Sequence, residues 1–234
     1  MQNETTLLPG AKASREAGAP QSLGKTLFHV AWMAILLGLI LEMAILIVAT
    51  TFNQAIAGKP VIADLVQKVS WSVIVCMGLA LGRGAVRMQA LSIQAPTMGL
   101  VGLLSGPLAF AIARSLHEGT QEALFIKVFQ AGAGSPMLLA LIKGIEYGCL
   151  GAALAWIGKQ IWGRALAHAG AGFAIGAVFG AILIGLMLRD AAAKATLGAI
   201  LSRAINEILN PVGCSLTLYA AEVMGRTTAA AVED

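Results

Sequence analysis

Two glutamates stand inside long apolar runs, Glu42 between Leu27 and Phe52 and Glu146 between Met137 and Ile157. An ionised carboxylate at the centre of a bilayer is costly, so a carboxylate kept there is a functional-site expectation by default. Two carboxylates that approach each other do not both ionise easily, and one of them holds its proton. That chemistry suits proton exchange or the binding of a cation. The competing account is a protonated glutamate bonded to a neighbouring helix, or a counter-ion for a partner subunit.

The two positions differ in their neighbours. Lys143 lies three residues before Glu146, on the same helix face, where the two charges can neutralise each other. Glu42 follows Gly38, Leu39, Ile40 and Leu41 and has no such neighbour. Arg203 and Glu207 are spaced i, i+4, and Asn206 and Asn210 extend a polar stripe along the same segment. Such a stripe lines an aqueous path, joins packed helices, or faces water if the segment lies on the membrane surface. Gly106-Pro107 and Asn210-Pro211 place prolines inside apolar segments. A proline there clashes with the preceding turn and frees a carbonyl. Broken helices of that kind present backbone groups to ions or substrates. The expected transport path therefore comprises Glu42, Lys143, Glu146, Arg203, Asn206, Glu207, Pro107, Asn210 and Pro211.

Other residue types carry less. His29, His117 and His168 are more simply interfacial polar caps than haem ligands. Cys76, Cys149 and Cys214 sit singly in apolar runs without a C-x-x-C, as small buried hydrophobes do. There is no Walker A loop, G-x-S-x-G or H-E-x-x-H. No cofactor, no metal and no enzymatic activity are expected.

The elements that must hold these residues follow from composition. The 234 residues are 58% hydrophobic and 12% charged, with a mean hydropathy of +0.80. A soluble domain carries about 25% charged residues. Disorder and a disulfide-rich secreted scaffold are likewise excluded, which leaves an integral helical membrane protein whose first partner is the lipid bilayer. The net charge of +4 comes from single Lys and Arg residues at the ends of apolar runs. Those are snorkelling or topology signals, not a nucleic-acid surface.

Six spans are predicted. The first is Leu27 to Phe52. Ala55-Ile56-Ala57 resembles a signal cleavage site, but the run is too long for a signal core and carries Glu42. The second is Val69 to Val86, with Trp71 at one interface. The third is Leu91 to Ala113, interrupted by Pro96 and Gly106-Pro107. An interfacial amphipathic helix is expected over Glu122 to Phe129. The fourth and fifth spans are Met137 to Ile157 and Ala165 to Leu188. In the fifth, Gly172, Gly176 and Gly180 form a double G-x-x-x-G for close packing. The sixth, Ala195 to Ala221, is the least apolar, and a surface-lying helix is its alternative.

An offset of 104 residues superposes Met33 on Met137, Glu42 on Glu146, Pro107 on Pro211 and Glu118 on Glu222. Three spans per half give the halves opposite orientations, the inverted-repeat architecture of many transporters. The division is then a disordered tail over 1–25, a first three-helix repeat over 26–114, an interfacial linker over 115–135, a second three-helix repeat over 136–222 and a polar tail over 223–234. The expectation is an all-α polytopic bundle acting as a small proton- or cation-coupled transporter or channel, one repeat rocking against the other. Its expected place is a bacterial inner membrane. The alternative is a non-catalytic scaffold or accessory subunit, whose intramembrane charges meet a partner membrane subunit. Homo-oligomerisation suits either.

Overall fold

A computed structural model describes residues 23–52, 58–86, 90–126, 135–189 and 196–230. The expected N-terminal tail, the small-residue segment around Ala55 and most of the connection before Pro136 lie outside these residues. The described chain forms six helices: α1 (Leu23–Thr51), α2 (Gly58–Val86), α3 (Leu91–Ala123), α4 (Pro136–Ile157), α5 (Ala165–Arg189) and α6 (Leu197–Ala230).

Five of these, α1 to α5, are long and apolar enough to cross a membrane. The protein is a helical membrane protein. Five of the six expected spans are supported in this way; α6 is long but falls short in hydropathy, because Arg203, Asn206, Glu207 and Asn210 crowd its first half.

Several boundaries also differ from expectation. Helix α2 begins at Gly58, eleven residues before the apolar run starts, so Lys68 and Trp71 lie inside it. Trp71 is buried and does not mark an interface. Helix α3 is continuous through Pro96 and Pro107, and α6 through Pro211. Neither helix is broken, because a transmembrane proline is tolerated where neighbouring groups take up the backbone it disturbs. Helix α3 also continues through Arg114, His117 and Glu118 to Ala123. The expected interfacial helix over Glu122 to Phe129 is therefore not separate at its start: Glu122 and Ala123 close α3, Phe125 turns the chain with a φ of 55°, and residues 127–129 lie outside the described ones. Helix α6 extends past Ala221 into the segment expected as a polar tail.

The bundle has its polarity reversed relative to a soluble protein. Phe28, Trp32, Ile47, Leu104, Leu166 and Phe173 face outward, while Glu42, Lys143, Glu146 and Glu207 are buried. Lipid tails ask for that arrangement, since no water is available to solvate an outward charge. The apolar core gathers Leu41, Cys76, Leu79, Met98, Tyr147 and Leu154.

Helices α3 and α4 share the most extensive seam, followed by α2–α3 and α5–α6. By contrast α4 and α5, neighbours in sequence, touch only lightly. Glycines explain the two tight seams. A methyl group at Gly106 would lie 2.5 Å from the Lys143 carbonyl oxygen, and one at Gly176 would lie 2.7 Å from that of Glu207. The G-x-x-x-G face of α5 thus lies against α6, and a second glycine face on α3 receives α4.

Candidate functional site

Each glycine seam fixes a charged residue. Gly106 and Gly102 bring α3 against the backbone of α4 at Lys143 and Tyr147. Gly176 and Gly180 bring α5 against α6 on either side of Glu207. The two side chains so placed meet. Lys143 Nζ donates to Glu146 Oε2 at 2.7 Å on its own helix and also to Glu207 Oε2 across the gap to α6. Arg203 Nε approaches the other oxygen of Glu207, Oε1, at 2.8 Å. The result is a chain of charges, Glu146–Lys143–Glu207–Arg203, with its first three members buried and Arg203 41% exposed at its end.

The aromatic side of Lys143 is equally ordered. Its ammonium lies 5.6 Å from the centroid of the Trp71 ring, a favourable place for a cation. Trp71 Nε1 donates to the Tyr147 hydroxyl at 3.3 Å and packs edge-on against Phe110. The lysine is therefore held by two carboxylates and one indole face.

Glu42 is elsewhere. It pairs with Lys68 of α2, Nζ to Oε2 at 2.5 Å, and is 4% exposed. The two midspan glutamates thus do not share a proton directly. Each has its own lysine, one supplied by a neighbouring helix and one by its own.

A cavity of about 340 Å³ joins these groups. All six helices contribute to its wall: Ile45, Lys68, Phe110, Lys143 and Met187 from α1 to α5, and Asn206 among several residues of α6. Asn210 and Ser202 also line it. Asn210 Oδ1, Ser202 Oγ and Glu146 Oε1 are buried with no hydrogen-bond partner among the described residues. Such groups are uncommon in a folded protein and invite a ligand.

The prolines take a different place. Pro107 packs against Gly144 of α4, and the Leu103 carbonyl that it leaves free faces the same glycine. The Glu207 carbonyl, freed by Pro211, faces Gly176. Both carbonyls are spent on close helix contacts and not aimed into the cavity.

Sequence reasoning missed Lys68 and Trp71 as site residues. It also missed a second charged contact near the opposite end of the bundle, where Arg83 of α2 pairs with Glu222 of α6 beside a smaller cavity of about 180 Å³. His168 packs on Tyr219 nearby, with ring centroids 5.0 Å apart. Cys76 and Cys214, isolated in sequence, meet between α2 and α6 as free thiols. The histidines act as local caps: His29 and His168 place Nδ1 on the carbonyl oxygens of Lys25 and Arg164.

No protein-family model, curated protein or solved structure matches the chain.

Proposed function

We propose that this chain is a small membrane transporter, driven by protons, whose working centre is the six-helix cavity with its buried charge chain. The observation that carries the reading is Lys143, which one cation-binding carboxylate holds from its own helix and another from α6. A shared cation can be redistributed. A proton entering this charge chain neutralises one of the two carboxylates and leaves Lys143 to the other, on α4 or on α6. The bond between α4 and α6 is then switched by one proton. Burial of Glu42 supports the reading as well: a charge meant for a partner's helix would face outward, and this one is 4% exposed.

The seams suggest which parts move. Rocking the first three helices against the last three would open α3 from α4, the most extensive contact in the bundle. The light α4–α5 contact is a better place to part. Helices α5 and α6 then shift together against α2, α3 and α4, and the Lys143–Glu207 pair lies across that division. Helix α6 crosses the membrane in this scheme, its polar stripe turned to the cavity. Two inverted repeats are part of this proposal: α2–α3 and α5–α6 are seams of matching extent, whereas α4–α5 is looser than α1–α2. A bacterial plasma membrane, with a proton gradient to drive the site, is the setting this reading calls for, and self-association would help a bundle this small to enclose a path.

Proteoliposomes of the purified protein, loaded with dyes for internal pH and cations, test the proposal. Wild type should move protons, and Glu207→Gln and Glu146→Gln should each lower the flux at least tenfold, as removal of a positioned proton-transfer group does. Flux indistinguishable from empty liposomes across a pH and cation series would overturn transport and leave the accessory-subunit account.

A further inference from the structure

We infer that the cavity binds a compact organic carboxylate that carries a hydrogen-bond donor and an apolar or aromatic tail. The inference rests on the cavity being the working centre proposed above, and it narrows the cargo to an anion.

The charge on the wall decides between anion and cation. Three cationic side chains reach the cavity, Lys68, Lys143 and Arg203, against one carboxylate, Glu207. Glu42 and Glu146 balance two of those cations from behind, without lining the cavity themselves. A ligand entering the cavity therefore meets ammonium and guanidinium groups in front of their counter-ions. The one carboxylate on the wall is already engaged by Lys143 and Arg203. A cation would find its single attractive partner occupied and three like charges around it. A carboxylate can accept from these donors, and the proton that neutralises one carboxylate in the scheme above balances its charge.

Two further observations fill in the ligand. Asn210 lines the cavity and is itself buried, and its Oδ1 has no donor among the described residues. A buried acceptor beside the cavity asks for a hydroxyl or N–H on the ligand, and leaving it unmet is unfavourable. Ser202 Oγ, also without a partner, can donate to the carboxylate. Across the same space stand Trp71, Phe110, Ile45 and Met187, an apolar wall for a ring or a branched chain. A volume of about 340 Å³ suits a small molecule of this kind.

Isothermal titration of the full-length protein in neutral detergent tests the inference with three probes that share a phenyl ring. 3-Phenyllactate carries the carboxylate and the hydroxyl, 3-phenylpropionate lacks the hydroxyl, and 2-phenylethylamine carries a cation instead. Saturable binding of 3-phenyllactate is expected, about three- to tenfold tighter than 3-phenylpropionate, the worth of one hydrogen bond. 2-Phenylethylamine should not bind. Asn210→Leu should erase the difference between the two acids, and Ser202→Ala should weaken both acids about threefold. Should Asn210→Leu fail to fold, Ser202→Ala and the three-probe ranking on wild type still decide. Binding of the amine as tight as that of the acids, or no acid binding at millimolar concentration, would overturn the inference. So would binding of phosphatidylglycerol that depends on Ser202 in place of 3-phenyllactate, which would assign the cations to a lipid headgroup. These readings need no flux, so acid binding without proton movement would sink the transport proposal alone. Proton movement without acid binding would sink this inference alone.

Discussion

Glu42 and Glu146 are both buried inside long apolar helices, yet their surroundings are built differently. Glu42 meets Lys68 as a closed pair between α1 and α2. Glu146 shares Lys143 with Glu207, which in turn holds Arg203. A closed pair has one arrangement of minimum energy, and separating it strands two charges. A chain of alternating charges has several, since an inner member can lose one neighbour and keep another. The first half therefore offers a fixed brace, and the second offers a switchable contact at the division between α4 and α6.

The largest expected effect comes from removing the shared cation. Lys143→Met leaves Glu146 without its partner and Glu207 with Arg203 alone, and should lower stability by about 5 kcal/mol, the upper end for a broken buried pair. Lys68→Met strands only Glu42, and Lys68 itself is partly exposed at 14%, so about 3 kcal/mol is expected. Equilibrium unfolding of both variants in mild detergent checks the ranking. Equal losses would mean that the second half is no more than another brace.

A double-mutant cycle sharpens the same contrast. Lys143→Met combined with Glu207→Gln should recover part of the single-variant losses, with a coupling of about 1–3 kcal/mol. The matching cycle at Lys68 and Glu42 should show coupling of the same sign. Both terms should fall when the pH is lowered enough to protonate Glu207, since Glu42 is held by one cation and Glu207 by two. A pH-independent Lys143–Glu207 term would remove the proton switch. The smallest effect is expected at the exposed end of the chain. Arg203→Ala should cost about 1 kcal/mol or less, as a partly solvated ion pair does. A loss as large as that of Lys143→Met would show that Arg203, and not Lys143, holds Glu207 in place.

Much of this architecture was legible in the sequence, and the parts that were not share a cause. Apolar runs mark all six helices, and the helical repeat puts Lys143 with Glu146 and Arg203 with Glu207, because residues three or four apart on a helix must be neighbours. The spacing of Gly172, Gly176 and Gly180 announced a close contact without naming α6 as its partner. Lys143 with Glu207 and Glu42 with Lys68 join different helices, and no periodicity along one helix specifies which face another will meet. Lys68 was hidden for a further reason. The apolar run of α2 begins at Val69, so the lysine before it reads as a residue flanking a span, whereas the helix begins at Gly58. The prolines suggested breaks because a lone helix would break there. Against neighbouring glycines the helices continue.

The local pairs have a consequence for how the chain is made. Helix α4 carries Lys143 and Glu146 one turn apart, and α6 carries Arg203 and Glu207 one turn apart. During synthesis each of these helices can enter the bilayer with its acid already matched by a base on its own face, which lessens the penalty of bringing charge into lipid. The hairpin of α1 and α2 has no such provision, since Glu42 and Lys68 come from different helices. Those two must enter together or wait at the membrane surface for each other. The bond between Lys143 and Glu207 forms only after α6, which follows the other five described helices in the chain, has joined them. The contact proposed to open and close in the working protein thus has to wait for all six described helices to be made.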